Sequence, residues 1–164
     1  METNNIFNTL ENQGRAIFET YCLKDNDKIQ NYNFTQDPFC PYDLEYTTTD
    51  GNTVCIEIKY RQNFDSTEYF VDAQGLLFEE KKFDNMKKEI EKNPNKHFYY
   101  CTIFADNVFY FHELRDKDFY NWFDRKCQKS QEEFDKFIYK KVTYINTSDC
   151  IKKDFNKKTK CTSI

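Results

Sequence analysis

Between Thr53 and Tyr60 the chain alternates with period two: Val54, Ile56 and Ile58 on one side, Cys55, Glu57 and Lys59 on the other. That is the pattern of a half-buried strand, and it puts Glu57 and Lys59 on one face, a single pleat apart. The segment before it alternates too, with Tyr42, Leu44, Tyr46 and Thr48 on one face and Asp43 and Glu45 on the other. Thr49-Asp50-Gly51 suits a three-residue hairpin loop, in which a type I turn is followed by a left-handed residue that glycine supplies best. This loop pairs Thr48 with Asn52, sets Leu44 against Ile56 and places Asp43 across from Glu57. A two-residue Asp50-Gly51 loop would turn charged Glu57 against the apolar face, because a slip of one residue exchanges the faces of a strand. The three-residue register is therefore preferred, and it gathers Asp43, Glu57 and Lys59 into one patch.

Helical spacing takes over elsewhere. Ile6, Leu10, Ile17 and Tyr21 predict a first helix within residues 4–24, with Gly14 an internal weakness or a break. Leu76, Phe83, Met86 and Ile90 predict a second, ended by Asn93-Pro94. Its charged residues read as a solvated face with i,i+4 pairs. His97 to Ala105 is apolar on both faces, as a central strand is, and Asp106-Asn107 turns it into Val108–His112. His97 and His112 both read as strand-edge residues. Residues 25–37 read as a loop, and 63–74 as a connection, either a flap or a short strand at Glu68–Val71. Phe119, Trp122 and Phe123 suggest a further helix. Ser130-x-x-Glu133 resembles a capping box opening another with Phe134, Phe137 and Ile138, and Lys141–Asn146 reads as a last strand. The expected fold class is α/β: a mixed β-sheet flanked by helices, with a C-terminal helical elaboration.

Composition sharpens this picture in three places. At 164 residues the chain suits one domain over residues 1–150, with Lys152, Lys153, Lys157, Lys158 and Lys160 marking 151–164 as a basic tail, more readily a solvated end than a DNA-binding arm. Its 17 Phe and 12 Tyr against three Gly and three Pro predict an aromatic core with short connections. The net charge of −4 argues against binding nucleic acid by bulk charge, although the distribution of charge matters more than its sum. Seven cysteines include no C-x-x-C pair and no zinc spacing, which suits a reducing, cytoplasmic setting. There is no signal-peptide pattern and no membrane-spanning apolar run, so no membrane partner is expected. Phosphate-binding glycine loops and Ser/Cys–His nucleophile arrangements are missing as well.

Two carboxylates on neighbouring strands, roughly 5 Å apart by ordinary cross-strand spacing, repel each other unless something offsets them. One reading leaves Asp43 and Glu57 solvated, with Lys59 in a surface ion pair worth under about 1 kcal/mol. The other makes them ligands of Mg²⁺, which takes one or two carboxylates and keeps several waters.

Pro41-x-Asp43 followed by Glu57-x-Lys59 on the next strand resembles the PD-(D/E)xK nuclease superfamily, which includes restriction endonucleases, Holliday-junction resolvases and small phage nucleases. Gly14-Arg15-Ala16-Ile17-Phe18-Glu19 looks like the Gly-x-x-x-x-Glu opening of that family's first helix, and the likeness covers about residues 12–112. Tyr42, between Pro41 and Asp43, is a departure from the pattern. The resemblance implies a restriction-endonuclease-like sheet and a nuclease that needs Mg²⁺ or Mn²⁺, with DNA the favoured substrate. It implies that Asp43, Glu57 and the Ile58 carbonyl hold the metal, that Lys59 orients the attacking water or stabilises the transition state, and that Glu19 helps as a third acid. It also implies that the second helix flanks the site, from which Lys81 or Lys82 could turn toward the phosphate backbone. Glu19 lies about 200° around a helix from Ile17, so a merely exposed position stays open. Many relatives act as dimers, which leaves a homodimer open here. The alternative is a catalytically silent nuclease fold serving as a binding, virion or inhibitor module. Asn/Lys/Tyr-rich usage suits an AT-rich genome such as a phage or its host.

Overall fold

The computed structural model describes residues 3–128 and 135–157. Helix α1 (Thr3–Phe18) runs into one π-helical turn (Glu19–Leu23), followed by strands β1 (Ile29–Phe34), β2 (Leu44–Thr48) and β3 (Thr53–Arg61). Then come α2 (Ser66–Asp72), β4 (Leu76–Glu79), α3 (Glu80–Lys92), β5 (Lys96–Phe104) and β6 (Val108–Glu113). The chain continues through β7 (Phe123–Gln128), β8 (Phe137–Ile145) and β9 (Ile151–Asp154). One sheet has the order β1-β2-β3-β5-β6-β9, and β4-β8-β7 form a second. In the larger sheet β3 and β5 are parallel while the other neighbours are antiparallel. Parallel neighbours need a long crossover, and α2, β4 and α3 supply it.

The mixed α/β architecture is therefore the expected one, and so is the hairpin register. Leu44 opposes Ile56 and Tyr46 opposes Val54, while the Gly51 N–H donates to the Thr48 carbonyl at 3.0 Å. Gly51 has φ +87°, the left-handed conformation that the loop requires.

Two buried clusters sandwich the sheet. On one side Phe18 of α1 packs with Leu44, Ile56, Ile58, Phe109 and Phe111. On the other Phe83 and Met86 of α3 meet Cys55, Phe98, Tyr100 and Phe78. β3 is thus covered on both faces, not one as its alternation suggests, because α3 lies over the Cys55/Glu57 side. Gly14 marks a close approach instead of a helix break: a Cβ there would meet the Tyr60 Cβ at 3.0 Å.

Several local expectations are corrected. Residues 25–37 contain β1, whose polar sequence fits an exposed edge strand. The segment read as flap or strand is α2, begun by Asp65, whose N–H donates to Glu68. Leu76 belongs to β4, and the helix starts only at Glu80. Tyr42 precedes the strand and packs on Phe98, so it leaves the Leu44 face. The C-terminal helical elaboration is a sheet: Lys117–Phe119 makes only a 3₁₀ turn, and Phe123, Phe137 and Ile138 lie on paired strands. The spacing of Phe119, Trp122 and Phe123 imitates a helix because the rings of Phe119 and Trp122 gather round Tyr120. Ser130, Glu133 and Phe134 lie outside the described residues.

The tail expected from residue 151 begins instead as β9, hydrogen-bonded to β6, with Phe155 buried beyond it. Lys158 and Lys160 lie outside the described residues. β6 is consequently an interior strand, so His112 is fully buried; its Nε2 meets the Tyr120 hydroxyl at 2.9 Å. No disulfide joins the six described cysteines. Among the described residues no helix is long and apolar enough to cross a membrane.

Candidate active site

β2 starts at Leu44, opposite Ile56, whereas β3 runs on to Arg61. Asp43 stands at this step. Its N–H donates to the Ile56 carbonyl at 2.9 Å and its own carbonyl accepts from the Thr35 N–H at 2.9 Å. Its carboxylate takes the place of the next ladder acceptor, with the Ile58 N–H donating to Oδ2 at 2.7 Å. Oδ1 accepts from Arg15 Nη2 at 2.9 Å. Arg15 reaches across from α1, donating also to the Thr35 carbonyl at 2.9 Å and to Glu11 at 2.5 Å. Asp43 is only 7% exposed, so these bonds are what make its charge tolerable there.

Glu57 is 6% exposed, beside Tyr100 of β5. Lys82 of α3 donates to its carboxylate. Burial pushes the Glu57 carboxyl up, the Lys82 charge pulls it down and the Asp43 charge pushes it up again, leaving it at about 7. Lys59 shares this face. Its ammonium is held below the usual lysine range by burial, then by the Arg61 and Lys82 charges, against the pull of Glu57 and Glu79. Arg61 follows at the next inward position, its guanidinium 5.4 Å from the ring centre of Tyr69 on α2.

The structure thus brings together Asp43, Glu57 and Lys59, with Ile58 between Glu57 and Lys59 on β3 and its N–H committed to Asp43. It does not bring Glu19 to them. Glu19 lies in the π-helical turn, and Tyr32 of β1 donates to its carboxylate at 2.7 Å. Tyr32 opposes Tyr46, two positions along the ladder from Phe34–Leu44, so Glu19 sits farther along the sheet than Asp43. The α1 acid tied to Asp43 is Glu11, through Arg15.

Three cations escape a reading centred on the acids. Arg61 continues the period-two row Glu57-Lys59-Arg61, which was a usable signal. Glu11 and Arg15 are spaced i,i+4 on a helix, a second signal. Lys82 could be narrowed only to one of two lysines, because its aim depends on where α3 lands.

Among the described residues no three His, Cys, Asp or Glu side chains cluster as a metal cage. The donors on hand are two carboxylates with backbone oxygen nearby, which is the sparse, hard-oxygen set that suits Mg²⁺ or Mn²⁺ rather than a zinc-type centre. The upward push of Asp43 on Glu57 is the sign expected of carboxylates that a divalent cation would relieve.

No family model matches the sequence, and no curated protein does. Among solved structures the chain is similar to Hjc of Archaeoglobus fulgidus, a Holliday junction resolvase from an archaeal hyperthermophile, with a TM-score of 0.43 and 9% identity. The alignment covers 82% of this chain and 96% of that one. A likeness this distant assigns neither family nor activity.

Proposed function

We propose that this protein is a divalent-metal-dependent nuclease that hydrolyses phosphodiester bonds, with DNA as its substrate. The observation that carries the reading is the pair of buried carboxylates, Asp43 and Glu57, on adjacent strands with Lys59 on the Glu57 face. A scaffold has no need to bury two like charges side by side, and doing so costs stability that a function would explain.

Asp43, Glu57 and the Ile58 carbonyl would hold Mg²⁺ or Mn²⁺. The bound ion supplies charge neutralisation at a phosphoryl oxygen and lowers the pKa of water. Glu57 reaches its binding form by losing a proton near pH 7, and Lys82 then balances the carboxylate until a metal ion takes its place. Lys82 is suited to that duty because its side chain is 45% exposed and can withdraw into water. Arg15 fixes the rotamer of Asp43, as does the Ile58 N–H. Lys59 orients the attacking water or donates to the oxygen on which charge grows as the P–O bond breaks. Glu19 takes no part in this assignment, since Tyr32 engages it.

The second reading, a silent nuclease fold that only binds, is favoured by the pairing of both carboxylates with Arg15 and Lys82. Incubating supercoiled plasmid and single-stranded circular DNA with Mg²⁺ or Mn²⁺ separates the two. Cleavage by wild type, reduced at least about 10²-fold in Lys59→Ala, supports the nuclease. Wild type and Lys59→Ala cutting equally well would sink the assignment, and no cleavage by wild type would favour the binding module.

A further inference from the structure

β8 pairs with β4 only from Val142 to Ile145, whereas its pairing with β7 continues outward to Phe137. Residues 137–141 and their β7 partners therefore form a two-stranded ribbon that runs past the end of β4. That end is Glu79, which opposes Val142 and accepts a hydrogen bond from Lys140 at 3.0 Å. Glu79 is also one of the charges acting on Lys59. The ribbon therefore leaves the body at the rim of the Asp43/Glu57/Lys59 centre.

Directly opposed residues share a face of an antiparallel pair. On one face Tyr139 opposes Lys126 and Lys141 opposes Asp124, with Phe137 next in line. Tyr139 is 74% exposed and Phe137 is 54% exposed. The Lys126 ammonium lies 5.4 Å from the Phe137 ring centre. Single exposed aromatics are ordinary. Two of them at consecutive positions of one ribbon face, with Lys126 across from Tyr139 and Lys141 following it, form a surface for a ligand that has both π faces and negative charge. Residues two apart on a strand are separated by roughly 7 Å, about twice the ~3.4 Å step of bases stacked along one strand of a duplex. The rings are therefore spaced for bases that have been pulled apart.

We infer that this face binds an unpaired nucleic-acid strand, with bases stacked on Phe137 and Tyr139 and phosphates against Lys126 and Lys141. The inference deepens the nuclease reading by placing a single strand at the rim of the cleavage centre, and it rests on that reading for its purpose. Its test does not require catalysis.

The test is anisotropy of fluorescein-labelled oligo-dT and of a duplex of equal length, titrated with the full chain in EDTA over a range of salt. Wild type binds oligo-dT more tightly than duplex. The double variant Phe137→Leu/Tyr139→Leu, which keeps apolar bulk but removes both rings, weakens oligo-dT binding about tenfold or more. Lys126→Gln/Lys141→Gln instead flattens the plot of log affinity against log salt by about 0.7 for each phosphate that is no longer neutralised. All four positions are exposed, and melting temperatures matching wild type confirm that the variants fold. Unchanged oligo-dT affinity in both double variants overturns the inference, and so does a preference for duplex. A wild-type dimer that sediments as a monomer in Phe137→Leu/Tyr139→Leu also overturns it, by assigning the face to a second copy of the chain. Binding as expected without any metal-dependent cleavage would leave this face standing and remove the nuclease reading.

Discussion

Two acids on the β2–β3 hairpin, Glu45 and Glu57, start from the same sequence pattern and meet opposite fates. Glu45 opposes Cys55. Its carboxylate accepts from Lys96 at 2.6 Å, from the Tyr42 hydroxyl at 3.1 Å and from the Cys55 thiol at 3.6 Å. Burial pushes this carboxyl up, but the hydrogen bonds from Lys96 and Tyr42 outweigh it, and the group sits below the usual carboxylate range. Glu57, deeper in the sheet, is pushed up to about 7 because burial and the Asp43 charge outweigh Lys82. The first acid has complementary donors and, among the described residues, no carboxylate that pushes it up. The second is held next to another carboxylate, at the step where β2 begins. A carboxylate settled by its neighbours is a structural ion pair, while one that its neighbours leave unsettled is a candidate for chemistry.

The largest expected effect separates the two lysines of this comparison. Lys59→Ala lowers the plasmid cleavage rate about 10²- to 10³-fold, whereas Lys96→Ala leaves it within about twofold. Equal losses in the two variants would dissolve the distinction.

Stability against pH comes next, measured by urea unfolding in EDTA. Glu57 binds its proton more tightly folded than unfolded, so its contribution is fully present below its ordinary value of 4.5 and is lost as pH rises through about 7. Wild type is accordingly less stable at pH 8 than at pH 4.5 on this account, by up to about 3 kcal/mol from this group. Glu57→Gln flattens that part of the profile. A slope that survives the substitution would show that Glu57 is not its source.

Glu45 has the opposite sign. Its contribution is present above its unfolded pKa and fades as pH falls through its lowered folded value. Glu45→Gln costs under about 1 kcal/mol, because the pair with Lys96 is partly solvated, and it leaves cleavage unchanged. The smallest functional effect is at the hairpin loop. Gly51→Ala lowers stability by about 1 kcal/mol through its left-handed φ and does not alter cleavage by the centre at the far end of the hairpin.

Much of this was legible from alternation and turn chemistry. Gly51 set the loop, the loop set the register, and the register placed Asp43 opposite Glu57 with Lys59 one pleat on. β5 was legible because both its faces are apolar, and α3 because Asn93-Pro94 ends it. Strands with no fully buried position among the described residues were not. β1 is a polar edge strand, and the described positions of the outer β7–β8 ribbon are exposed or half-buried, so nothing imposes period two there. Phe119 and Trp122, gathered round Tyr120 ahead of β7, imitated a helix together with Phe123. The depth of Glu57 was hidden as well, since a strand's own residues do not say that a helix will cover its polar side. Arg15 and Lys82 show the same limit at the site. Each sits on a helix whose sequence predicts the helix but not the carboxylate it reaches.

Calorimetric titration of the apo protein with Mn²⁺ at pH 8 tests the central distinction most directly. The account predicts one site in wild type and in Glu45→Gln, and none in Asp43→Asn or Glu57→Gln. A wild-type protein that takes up no Mn²⁺, or one whose site is lost in Glu45→Gln but kept in Asp43→Asn, would contradict it.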